Sequence, residues 1–230
     1  MTGELLAYEA RRVGMSVLGI PVAATVLTGL AIAAGAGLTG RLVPAAVESL
    51  PALAAGVAVA AVIGRDPARE LQLSLPAGYG RTLANRLAPV LAGVVVGAVL
   101  ATIAAVASGY WAAAPDPLTA QLVWLAPTSF LAGLAALVTM ATAATGLGTA
   151  VVGVLWVIEA AKSSLFLGHP WQSLYLFANG VVQGAPFHDA TGPTAAWWRD
   201  RLALCVAALL CTGLALVLAR RPERLLRGAA

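Results

Sequence analysis

RDPARELQLSLPAGYGR, residues 65–81, is the only long polar interval in the first half of the chain, and apolar runs long enough to cross a bilayer flank it. Arg65, Asp66, Arg69 and Glu70 put four charges into its first six residues. Leu71, Leu73 and Leu75 then form a short apolar patch. Pro76 ends any helix there, because the residue before a proline is pushed out of the helical region. A charged, structured loop between two apolar runs offers a docking surface to something outside the bilayer.

Composition sets the solvent. Hydrophobic residues make up 60% of the 230 and charged residues only 10%, with a mean hydropathy of +0.87. A water-soluble domain carries about 25% charged residues. So little charge cannot clothe a surface facing water, whereas lipid asks for none. The chain reads as an all-α integral membrane protein, a single transmembrane domain over 1–230. Its net charge of +4 is no nucleic-acid signal, since no basic patch interleaved with aromatics and no groove-reading motif accompanies it. Cys205 and Cys211 lie six residues apart in one apolar run, which places them on different helix faces. They read as small packing residues, without metal-ligand spacing. Glu4, Glu9, Arg11 and Arg12 precede the first apolar run, which is longer than the roughly 7–15 residues of a signal peptide.

A helix needs about 20 mostly apolar residues to span the hydrocarbon core. Six segments qualify, at residues 13–37, 42–64, 87–108, 118–142, 147–167 and 202–219. The fourth and fifth are split at Thr145-Gly146, since one helix over both would be about twice the required length. With both termini in the cytoplasm, ten basic residues lie inside: Arg11, Arg12, Arg65, Arg69, Arg81, Arg86, Arg220, Arg221, Arg224 and Arg227. Arg41, Lys162, Arg199 and Arg201 lie outside, so the charge bias favours this orientation in the plasma (inner) membrane. Tyr110, Trp111, Trp124, Trp171, Tyr175, Trp197 and Trp198 gather at the outer side, as an interfacial belt does. Residues 1–12 suit an interfacial helix. Residues 168–200, rich in Trp, Pro and Gly, are too broken to cross and too apolar for free solution. They read as a partly re-entrant extracytoplasmic segment between spans five and six.

Residues 65–86 resemble the first cytoplasmic loop of ABC type-2 permeases, the membrane subunits of an exporter family. That loop runs from an Arg/Glu stretch through a Leu-rich turn to Leu-Pro, then to a basic residue before the third span. Arg69-Glu70-Leu71-Gln72-Leu73-Ser74-Leu75-Pro76 and Arg81-Thr82-Leu83-Ala84-Asn85-Arg86 match it here. The six spans, the inner N-terminal helix and the apolar outer segment before the last span are also similar to that family. The resemblance implies a cytoplasmic coupling helix between spans two and three that docks on a separate ATP-binding subunit, with ATP and Mg on that partner. It also implies a second permease chain, identical or paralogous, forming a dimer with this one. Arg65, Asp66, Arg69, Glu70 and Arg81 would pair with the partner's charges, and Leu71, Leu73 and Leu75 would seat in an apolar groove that Pro76 closes off.

The chain itself holds no ATP site. A phosphate-cradling loop ends in Gly-Lys-Ser/Thr, and the one lysine, Lys162, follows Glu159-Ala-Ala. Glu159 and Lys162, three apart, share a helix face and can pair. Ionisable groups at membrane depth face a cavity or a partner, so the two are candidates for a substrate path or an intramembrane ion pair. Glu48, in the outer half of the second span, is expected at the interface. His169, His188 and Asp189 read as loop residues, since nineteen residues separate the histidines. Gly93 and Gly97 allow close helix approach within the chain. No catalytic dyad is visible. The expected function is export of a hydrophobic or amphipathic cargo, with a non-transporting scaffold or sensor subunit as the alternative.

Overall fold

The computed structural model describes residues 14–34, 42–64, 79–110, 117–162, 165–166, 169–177 and 194–220. Among these the chain is helical throughout, without a strand. The helices are α1 (Met15–Ala34), α2 (Leu42–Gly64), α3 (Tyr79–Ala107), α4 (Pro117–Thr142), α5 (Thr145–Ala161) and α6 (Ala195–Ala219), with a short 3₁₀ helix at Pro170–Leu174. Five are long and apolar enough to cross a membrane, and α5 is a shorter apolar helix. The chain is thus a multi-pass membrane protein by the length and chemistry of its helices.

Four helices hold an internal proline: Pro21, Pro51, Pro89 and Pro127. Each removes one backbone donor and leaves the carbonyl four residues earlier without its helical partner. Lipid cannot supply a replacement, so neighbouring side chains must. α3 ends at Gly109, whose φ of +74° closes the helix. Tyr110 N–H returns to the Ala105 carbonyl at 3.1 Å and Gly109 N–H to Val106 at 3.0 Å, which satisfies two of the last carbonyls. Ala143 turns α4 into α5 with a φ of +55°, and Ala144 N–H donates to Thr142 Oγ1 at 3.3 Å.

α2 is the central helix. Its apolar stretch is 83% buried, against 22% for α1 and α6, and it packs on α1, α3, α4 and α5. Its alanines at 46, 52, 54, 55, 58, 60 and 61 are all buried. Small side chains all round let several backbones approach, which is how helices associate where lipid removes the hydrophobic drive. At Gly56 a Cβ would stand 2.7 Å from Val152 Cγ1 and 3.3 Å from the Leu131 carbonyl. Gly93 lies against Pro21, and Gly97 against Thr25, so this glycine step joins α3 to α1 within the chain.

These contacts fix direction. α2, α4 and α6 run parallel to each other, and α1, α3 and α5 run the opposite way. One end of the bundle collects Ile32, Val43, Ala105, Val123 and Trp197 in a common cluster. We call it the tryptophan end; the other, where α2 stops and α3 starts, is the loop end.

Several boundaries differ from expectation. α3 begins at Tyr79 rather than residue 87, so the last part of the expected 65–86 loop is helix. Leu83 and Arg86 face inward there while Arg81 is exposed, an amphipathic turn that continues the apolar run without a breaker. α6 starts at Ala195 rather than residue 202, so the expected 168–200 connection is shorter. Thr194 caps α6, its hydroxyl accepting Trp197 N–H at 3.4 Å, and Arg201 enters the bundle because a buried partner neutralises it. α5 stops at Ala161, short of residue 167. The expected interfacial helix at 1–12 lies outside the described residues.

Candidate functional site

Glu48 lies six residues into α2, and Arg201 six residues into α6. At 1.5 Å per residue both are about 9 Å from the helix start. Because α2 and α6 run parallel, the two side chains meet at one depth. Arg201 Nη2 is 2.8 Å from Glu48 Oε1, and both side chains are wholly buried.

The guanidinium does more than neutralise. Its Nη1 donates to the Val123 carbonyl at 3.4 Å. Val123 is four residues before Pro127, so this is the carbonyl that the missing proline N–H leaves without a helical partner. The face of Trp197, one turn before Arg201, lies 5.8 Å from the guanidinium carbon, a favourable site for a desolvated cation. Arg201 Nη1 and Nη2 also donate to the Leu176 carbonyl at 3.3 and 3.2 Å.

Leu176 is held from its other side as well. Its N–H donates to Glu159 Oε2 at 2.7 Å, and the Tyr175 hydroxyl donates to the Glu159 carbonyl at 3.4 Å. That carbonyl belongs to the last turn of α5, where helical partners run out. Tyr175, Leu176 and Phe177 are 2%, 0% and 6% exposed. Phe177 meets Trp156 edge-on at 5.9 Å and Tyr175 at 6.0 Å, and Tyr175 lies 5.6 Å from Phe166. Residues 175–177 are therefore seated in the tryptophan end of the bundle, with a carboxylate on the N–H of Leu176 and a guanidinium on its carbonyl. Asp200, next to Arg201, is also buried. It reaches the exposed Arg199 at 3.6 Å, and its oxygens have no hydrogen bond among the described residues.

The expected site residues fall differently. Arg65, Asp66, Arg69, Glu70, Leu71, Leu73, Leu75 and Pro76 lie outside the described residues, and Arg81 is exposed in the first turn of α3. Glu159 and Lys162 are not brought together. Glu159 is buried against Leu176, whereas Lys162 ends α5 with a non-helical backbone (φ −132°, ψ 51°) and is exposed. Glu48 and Arg201 are both buried within the bundle and pair with each other. One signal could have found them: opposite charges, each six residues into an apolar helix, need one another. His169 is exposed and stacks on Trp171 at 5.2 Å. Among the described residues no group of His, Cys, Asp or Glu could hold a metal ion.

A second feature is an apolar groove of about 540 Å³ between α1 and α3, lined by Pro21, Val22, Val26, Val96, Leu100 and Thr25 among others. Thr25 Oγ1 donates back to the Pro21 carbonyl at 2.8 Å, so its hydroxyl hydrogen is already used.

No family model, no curated protein and no solved structure matches this chain.

Proposed function

We propose that the chain is the six-crossing permease subunit of an ATP-driven ABC exporter, paired with a second permease chain and with separate ATP-binding subunits. α5, at 17 residues, is at the lower limit for a crossing and would be the sixth span. The basic residues 65–86 and 220–227 would lie in the cytoplasm and the tryptophan end outside, with residues 168–194 partly re-entrant. ATP and Mg would be bound by the partner. The scaffold or sensor reading lacks a feature that favours it.

The observation that carries the reading is α3. It is one helix of 29 residues, about 43 Å long, against roughly 30 Å of hydrocarbon. Its first turns, with Arg81 and Arg86, would therefore stand beyond the membrane and join the 65–78 segment directly to a span. A push on that segment by closing ATPase subunits would move α3 as a rod, and with it α1, which packs along it through Gly93 and Gly97. The apolar groove between these helices suits a hydrophobic or amphipathic cargo moving between two permease chains.

The test is whether a tagged copy of the chain recovers an ATP-binding subunit from its native membrane, with the ATPase activity of the complex measured. Glu70→Arg and Leu75→Asp should each lower recovery about tenfold or more, ~1.4 kcal/mol, with the chain still in the membrane. Full recovery and unchanged activity in both variants would remove the coupling loop. Absence of any ATPase would favour a scaffold.

A further inference from the structure

Glu48, Glu159 and Arg201 are three of the buried ionisable side chains, and Glu159 and Arg201 converge on the backbone of Leu176. Burying charge is costly, and a buried ion pair gains little over apolar packing. A peptide that only had to be fastened in place could have used neutral donors and acceptors. A carboxyl on the N–H and a guanidinium on the carbonyl of one residue grip both sides of its backbone, and the bonds from the guanidinium are charge-assisted, roughly twice as strong as neutral ones. Aromatic faces of Trp156 and Phe166 flank it. We propose that residues 175–177 are a removable plug in a recognition site for peptide-like molecules, formed by Glu159, Arg201 and Glu48.

The occupant predicts the ligand. Tyr175-Leu176-Phe177 is apolar on its flanks and presents one donor and one acceptor at its centre. A ligand that replaces it carries an amide N–H and C=O between hydrophobic side chains, as a short apolar peptide does. When the plug withdraws, Glu159 and Arg201 exchange the backbone N–H and C=O of one residue for those of another, and Glu48 keeps the guanidinium neutralised and aimed. The site deepens the proposed permease function by naming its cargo class, but it is formed within one chain and works without the ATPase. Its test therefore separates from that of the coupling loop.

The experiment uses the full chain with Cys205→Ser and Cys211→Ser, which removes both native thiols, and Leu176→Cys, reconstituted in phosphatidylcholine/phosphatidylglycerol nanodiscs without ATP. A membrane-impermeant maleimide reports whether Cys introduced at 176 is reachable. At rest it should react slowly. N-acetyl-Tyr-Leu-Phe-amide should raise the rate saturably. The depsipeptide with an ester in place of the leucine N–H should act about tenfold more weakly, for want of the Glu159 bond. Adding Arg201→Gln should raise the rate without any peptide, and Glu159→Gln, which keeps the shape and an acceptor, should do so less. No response to the peptide, or equal responses to peptide and depsipeptide, would reduce residues 175–177 to a fixed brace. The peptide arms need neither charge variant, so misfolding of those variants would not rescue the idea.

Discussion

Arg201 is the residue on which the tryptophan end of the bundle converges. One guanidinium neutralises Glu48, supplies the donor that Pro127 withholds from Val123 and holds the Leu176 carbonyl. Arg201→Met would take away the buried cation that balances Glu48, and removing one half of a buried ion pair costs about 3–5 kcal/mol. It would also leave two carbonyls without donors. Glu48→Leu together with Arg201→Met removes the unbalanced charge and leaves the two carbonyls unsatisfied, at about 1–3 kcal/mol each. The double variant should therefore unfold at a higher temperature than Arg201→Met alone in a detergent melt. A double variant that melts lower, with the two losses simply adding, would show that the pair is not a coupled unit. Lysine at 201 could keep the charge yet not serve several acceptors in one plane, so Arg201→Lys should fall between.

At the scale of the helix, small residues decide what can pack where. Gly56 on α2 faces both Val152 and the Leu131 backbone, and the Leu131 carbonyl cannot turn aside as a side chain can. Gly153, on α5, has nothing within 4 Å of its Cβ position. Gly56→Ala should cost about 1–3 kcal/mol through overpacking, whereas Gly153→Ala should leave the melting temperature unchanged or slightly raised. Equal effects at both would contradict the close approach of α2 to α4 and α5. The residues that make α2 central also show what was legible beforehand. Its span, 42–64, and that of α4 could be read almost to the residue, because apolar length and the polar intervals around them carry that information. The start of α6 was not. Asp200 and Arg201 look like loop residues until a partner for Arg201 is known, and Glu48, 153 residues earlier in the chain, is that partner. The pairing expected of Glu159 with Lys162 followed from spacing on a helix, and it fails because α5 ends between them. Local pattern located the helices, while the charge network depended on which helices lie parallel, and periodicity does not carry that.

For the whole molecule, the alternation of six helices ties every polar feature to one of two ends, so a single fact of orientation places them all. Arg81 belongs to the loop end, and Arg199, with a side chain 68% exposed, to the tryptophan end. An excess of basic residues marks the cytoplasmic side, and in the proposed orientation that side is the one with Arg81. Single cysteines at these positions, on the Cys205→Ser and Cys211→Ser background, can be labelled in intact cells with an impermeant maleimide. Arg199→Cys should label at once, and Arg81→Cys only after permeabilisation. The reverse pattern would put residues 65–78 outside the cell, where no ATP-hydrolysing subunit could reach them, and the exporter reading would fail. The Glu159–Arg201 site would survive that reversal chemically, since its hydrogen bonds are internal to the chain. The tryptophan end would then face the cytoplasm, and the peptide-like ligand would have to come from that side. Orientation therefore tests the energy source and the side of ligand entry, whereas the peptide and depsipeptide comparison tests the site itself.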